Sequence, residues 1–202
     1  MKIRFLLSFA VAMLMLFGLA SVGAAQEITQ AGKDVDATLL KINKLNILKY
    51  VTPLLLKKTQ LNALMTTIEK CQAKQKEIIA LDAKEFKKYD ADIDKALESA
   101  LNDGGYPSRD LQAKIIAIQD ALLIRRKLAT NEMVDMLLDT CKKNLNDGQL
   151  AAMANLTDPN YVEGETKVAK LPGDEKTKLY IREVLLSPLT YDIFKQLAKR
   201  AQ

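Results

Sequence analysis

Leu101-Asn102-Asp103-Gly104-Gly105-Tyr106-Pro107-Ser108, residues 101–108, is the stretch on which the fold turns. Two glycines and a proline within four positions mark a chain reversal. On either side run long proline-free segments with helical periodicity. Toward the N-terminus the stripe reads Leu61, Leu64, Ile68, Cys71, Gln75, Ile78, Asp82, Phe86, Tyr89, Ile93, Leu97 and Ala100. These are steps of three and four, the signature of one helix face. The polar positions Gln75 and Asp82 make a break or kink around Leu81–Ala83 an expectation. Toward the C-terminus, Ser108 is a natural N-cap, and Leu111, Ile115, Ile118, Leu122, Ala129, Met133, Leu137 and Cys141 continue the pattern. The expected fold is all-α: a long antiparallel helical hairpin over about 54–145, turning at 102–107, with shorter helices packed at its open end.

The flanks complete that picture. A first helix is expected over Val35–Tyr50, ended by Pro53, because the residue before a proline is pushed out of the helical region. A short helix begins at Asn146 or Asp147. Residues 157–173 contain Pro159, Gly164, Pro172 and Gly173 and read as a flexible connector. Two closing helices are expected within 174–202, the second after Ser187-Pro188, with serine as N-cap and proline in the first turn. No period-two alternation is long enough to suggest a sheet.

Residues 1–25 have the three parts of a secretory signal: Lys2 and Arg4, an apolar run from Phe5 to Ala20, and small residues at Val22-Gly23-Ala24-Ala25. Cleavage after Ala25 leaves residues 26–202, expected as a single domain without an integral membrane anchor in a periplasmic or secreted setting. The whole chain carries +5; losing Lys2 and Arg4 leaves +3, with basic and acidic residues interspersed. A nucleic-acid partner would require a clustered basic face, so none is expected. The chain contains no histidine. The usual catalytic triads are thereby excluded, and grouped His/Cys metal ligands are lacking. Asp90-Ala91-Asp92-Ile93-Asp94 begins like a calcium loop, but Lys95 and Leu101 occupy the positions that need glycine and glutamate. No cofactor, metal or catalytic residue is expected, and the chain is read as a non-enzyme.

Cys71 and Cys141 are the only cysteines, and their midpoint, residue 106, lies in the turn. In an antiparallel hairpin that placement brings them level, so a disulfide is expected; the alternative is two buried thiols acting as small apolar groups. Met65, Met133, Met136 and Met153 lie on or beside the apolar stripes. Core packing is one role for them and an adaptable binding surface another. Arg125-Arg126-Lys127 is a short basic cluster, either a solvated face or ion-pair partners for the acidic preceding helix.

Two segments resemble each other across the turn. Leu56-Lys57-Lys58-Thr59-Gln60-Leu61 overlays Leu145-Asn146-Asp147-Gly148-Gln149-Leu150, each with leucine, three residues, then Gln-Leu. Over about residues 35–155 the chain thereby resembles the Spy/CpxP-like (Leu-Thr-x-x-Gln motif) family of bacterial periplasmic proteins. Leu56/Gln60 and Leu145/Gln149 match its motif spacing, with Lys57 and Asn146 where the family has threonine. The resemblance implies an ATP-independent, chaperone-like or envelope-stress adaptor role, with a helical cradle, often dimeric, that binds protein clients. The metal sensing of some relatives depends on histidines that this chain lacks. Arg125, Arg126, Lys127 and Met133 are the candidate client contacts. The competing reading is a structural or assembly protein that self-associates or docks on an envelope component, with the Tyr191, Phe194 and Leu197 face as a docking element.

Overall fold

A computed structural model describes residues 30–157, 162–163 and 166–201. The expected signal segment lies outside these residues, as does part of the 157–173 connector. The fold is all-α. Helix α1 spans Gln30–Val51 and is followed by a 3-10 turn at Thr52–Leu54 containing Pro53. Helix α2 spans Lys58–Lys87, α3 Asp90–Asp103, α4 Arg109–Asn144 and α5 Asp147–Asn155. A two-residue antiparallel ladder, β1 Val162–Glu163 with β2 Thr166–Lys167, interrupts the connector. Helix α6, Gly173–Tyr180, runs into a π-helical turn at Ile181–Leu185, and α7, Thr190–Arg200, closes the described chain. Among the described residues no helix is long and apolar enough to cross a membrane.

Local chemistry accounts for most boundaries. Ser108 Oγ accepts from the Leu111 N–H at 3.2 Å, the expected N-cap of α4. Gly104, at φ 66°, ends α3 in the left-handed conformation that glycine adopts without a Cβ clash. The expected kink at Leu81–Ala83 is not where α2 stops. It stops at Lys88-Tyr89, where Lys88 and Tyr89 donate to carbonyls three residues back. No proline or glycine is needed, because the charges change sign there. Lys84 and Lys87 sit at the negative end of α2, and Asp90 and Asp92 at the positive start of α3. Ser187 is likewise not the side-chain cap of α7: that helix begins at Thr190, with no side-chain cap, and Ser187 contributes only its carbonyl.

The contacts of the described residues fall into two compact units: residues up to 71 together with those from 134 onward, and residues 72–133. The first unit holds a dense core. Leu61, Leu64, Ile68 and Cys71 of α2, Val134, Leu137, Leu138 and Cys141 of α4, and Met153 of α5 are buried. Tyr180, Ile181, Val184 and Leu185 bring in the α6 end and the π turn, and Ile193, Phe194 and Ala198 bring in α7. The Tyr180 hydroxyl donates to the Tyr50 carbonyl at 2.9 Å, tying the end of α1 to this core.

The second unit is built differently. Its α2 and α4 segments run antiparallel, paired through Lys74 with Glu132 and Asp82 with Arg125 and Arg126. Its buried apolar side chains are Leu111, Ala129 and Met133, and α3 buries none.

Candidate functional site

The two motif copies meet in the first unit. Gln60, in the first turn of α2, and Gln149, in the first turn of α5, face one another as a reciprocal amide pair. Gln60 Nε2 donates to Gln149 Oε1 at 2.9 Å, and Gln149 Nε2 returns a bond to Gln60 Oε1 at 3.2 Å. Each amide oxygen also accepts from the backbone N–H three residues earlier: Lys57 onto Gln60 at 2.9 Å, Asn146 onto Gln149 at 3.1 Å. Each amide nitrogen donates to a carbonyl of the opposite segment, Gln60 to Asn144 at 2.9 Å and Gln149 to Leu54 at 2.8 Å. Two glutamines 89 residues apart therefore satisfy helix-start donors and helix-end acceptors together. Only the second copy adds a full capping box, because Asn146 Oδ1 accepts from the Gln149 N–H at 2.9 Å and Lys57 has no equivalent acceptor. Leu145 is buried beneath the junction and Leu56 half-buried.

Leu55 follows directly from this arrangement. It is the one non-glycine residue with positive φ, at 47°, among the described residues, and it is 81 % exposed. Its left-handed turn comes immediately after the Leu54 carbonyl that Gln149 captures. A bulky side chain in that conformation is strained.

The expected disulfide is absent, and Cys71 and Cys141 are both buried as thiols. The helix register explains this. In the same unit the Thr67 and Thr140 hydroxyls bond at 2.9 Å, so Thr67 is level with Thr140. Cys71, four residues further along α2, is then level with Met136, while Cys141 lies five residues beyond that on α4. At about 1.5 Å per residue the cysteines are offset by roughly 7 Å along the helix axes, before the lateral separation of packed helices is added. A disulfide requires Cα atoms within about 7 Å in total. Burial also pushes the Cys141 thiol up to about 12, which suppresses the thiolate needed for exchange.

The four expected client contacts divide. In the second unit, Asp82 is 3 % exposed, and its two oxygens are taken by Arg125 Nη1 at 2.6 Å and Arg126 Nε at 2.9 Å. Adjacent arginines thus clamp one buried carboxylate, the ion-pair role rather than the solvated one. Met133 is buried and Lys127 is exposed. Beside the clamp, Tyr89, Lys114, Ala117, Ile118 and Ala121 line a cleft of about 210 Å³. This is below the usual range for small-molecule sites. Its charges already have partners: Arg125 on Asp82, Glu85 on Lys88, and Lys114 on Asp110. The Lys88 ammonium accordingly holds Glu85 below the ordinary carboxylate range.

The feature that sequence reasoning missed is the amount of apolar side chain the second unit leaves in water. Ile79, Leu81 and Phe86 of α2, Leu97 and Leu101 of α3, and Ile116, Leu123, Ile124 and Leu128 of α4 are all exposed. Ile79 and Phe86 stand two turns apart on one line of α2, and Leu97 and Leu101 one turn apart on α3. A signal existed: α4 carries aliphatic residues between its stripe positions at Ile116, Leu123, Ile124 and Leu128, so it is apolar on more than one face. Among the described residues no three His, Cys, Asp or Glu side chains are grouped to hold a metal ion. No family model, no curated protein and no solved structure matches this chain.

Proposed function

We propose that this chain is an exported, periplasmic, non-enzymatic binding protein that holds protein clients in the manner of the Spy/CpxP-like family it resembles. One observation carries the reading: residues 72–133 leave large aliphatic and aromatic side chains exposed on α2 and α3 while burying few. Large apolar side chains left in water in such numbers are the raw material of interaction sites. The contact residues of this reading are Ile79, Phe86, Leu97 and Leu101. Lys84 and Lys87 flank the first pair, and Asp94 and Glu98 the second. Arg125, Arg126 and Met133 fall outside it, since the first two hold Asp82 and the third lies in the interior. The charged rims suit weak, sequence-tolerant contact with unfolded segments, in which apolar side chains supply attraction and charges keep the complex soluble.

The test is an ATP-free aggregation assay with purified full-length protein and a thermally unfolding client. Suppression near one-to-one is expected, and Phe86→Ser with Leu97→Ser should weaken it while the far-UV spectrum stays unchanged. No suppression at several-fold excess would sink the client reading.

A further inference from the structure

The cleft of about 210 Å³ in the second unit is lined by α2, by Tyr89 at the α2–α3 junction, and by α4. Along α4 it runs from Lys114 to Arg125, and the Arg125–Asp82 ion pair closes one end. Ala117 and Ala121, one turn apart on α4, leave the room, because two methyl groups stand where the stripe positions on either side carry larger side chains. Ile118, Leu122 and the Tyr89 ring supply apolar walls.

Size and charge together identify the occupant. An apolar cavity of about 150 Å³ holds one benzene molecule, so this cleft has room for a single six-membered ring and the methylene that carries it. The charges at its rim are spoken for: Arg125 by Asp82, Lys114 by Asp110, and Glu85 by Lys88. A charged ligand would have to displace one of those partners, whereas a neutral one displaces only water. Among neutral side chains of that size an aromatic ring gains most. The guanidinium or ammonium at either end can lie over its negative face, and Tyr89 can pack on its edge or face. A branched aliphatic side chain has neither attraction. We infer that this cleft is a binding site for one aromatic side chain, carried by a segment of a client protein. The source of the ring rests on the client reading. The capacity of the cleft for a ring does not, and none of its lining residues is among Ile79, Phe86, Leu97 and Leu101.

The experiment is a heteronuclear NMR titration of the full chain with N-acetyl-L-phenylalaninamide from about 0.1 to 20 mM, a range bracketing the dissociation constant on the order of 1 mM expected for a ligand of that size. Shift changes should centre on Tyr89, Ala117 and Ala121. N-acetyl-L-cyclohexylalaninamide, close in shape but without a π system, should bind several-fold more weakly. Ala117→Leu combined with Ala121→Leu fills the cleft and should remove the shifts. Both positions are exposed and leucine is a strong helix former, so this variant keeps its fold. Phe86→Ser, outside the cleft, should leave ring binding unchanged. An unshifted spectrum at the highest concentration, equal binding of the cyclohexyl compound, or shifts that survive in the filled variant would each overturn the assignment. Ring binding by a protein that fails to suppress aggregation overturns the client reading alone; suppression without ring binding overturns the cleft alone.

Discussion

The described helices of the first unit and those of residues 72–133 differ in how much of their apolar side chain they bury. In the first unit Leu61, Leu64, Leu137, Tyr180, Ile181 and Phe194 are sealed from water, and polar groups among them are tied by the Gln60–Gln149 junction, the Thr67–Thr140 pair and the Tyr180–Tyr50 bond. In the second, most large aliphatic side chains face solvent, and the most buried polar group is a carboxylate held by two arginines. The sealed core lies in the first unit, which also exposes Val35, Leu39, Ile42 and Leu45 on α1, whereas the second unit has little core and exposes most of its large aliphatic side chains. On the client reading proposed above both are needed, since a surface that collapsed inward to satisfy itself would have nothing left to offer.

The widest gap between the units should appear on truncating a phenylalanine in each. Phe194→Ala removes a side chain from a sealed core and should cost about 3–5 kcal/mol, read as a lower denaturant midpoint. Phe86→Ala, at a 39 % exposed position, should stay within about 1 kcal/mol. Equal costs would break the contrast.

High pH should attack the first unit in particular. Cys141 is neutral when protonated, and burial raises it from an ordinary 9.0 to about 12. Above pH 9 the unfolded chain releases that proton while the folded one keeps it, so stability falls as pH rises toward 12, by roughly 1.4 kcal/mol per pH unit. Tyr180, raised chiefly by burial and further by Cys141, adds its own loss above pH 10. Thermal melts between pH 8 and 11 should show the decline, and Cys141→Ala should flatten it.

The second unit should be most sensitive at its clamp. Asp82→Ala leaves Arg125 and Arg126 without their shared carboxylate and should cost about 2 kcal/mol, less than a fully buried pair because both arginines reach solvent. Asp82→Leu should recover part of that loss, since apolar replacements of buried ion pairs are often tolerated. Smallest of all, and opposite in sign, Leu55→Gly should stabilise by about 1 kcal/mol through relief of the left-handed strain. Its effect on client binding then decides whether the exposed leucine is more than a by-product of the turn.

What the sequence revealed tracks how local each signal is. Pro53, Ser108, Asn146 and Gly104 act on their immediate neighbours, and the helix ends they predict stand in the structure. Gln60 and Gln149 stood out because the two segments share a pattern, but their bonding to each other across 89 residues was not read from it. The helix break at Lys88-Tyr89 was overlooked in favour of the polar positions further up, although the run Lys87-Lys88-Tyr89-Asp90 reverses charge as a helix junction should. Cys71 and Cys141 misled for a different reason: symmetry about a turn gives register only if both arms use the same number of residues to reach it. Here one arm breaks at Lys88-Tyr89 and the other does not. The destination of Arg125 and Arg126 depended on the same long-range register.

The glutamine junction is made of amides, carbonyls and backbone N–H groups, with no group that gains or loses a proton and no net charge for salt to screen. The ion pairs Lys142–Asp174 and Lys178–Asp135 loosen as salt rises or acid is added. The glutamines respond directly to neither. In surroundings whose acidity and ionic strength are set from outside, the meeting point of α2 and α5 therefore keeps one geometry while the charged contacts around it come and go.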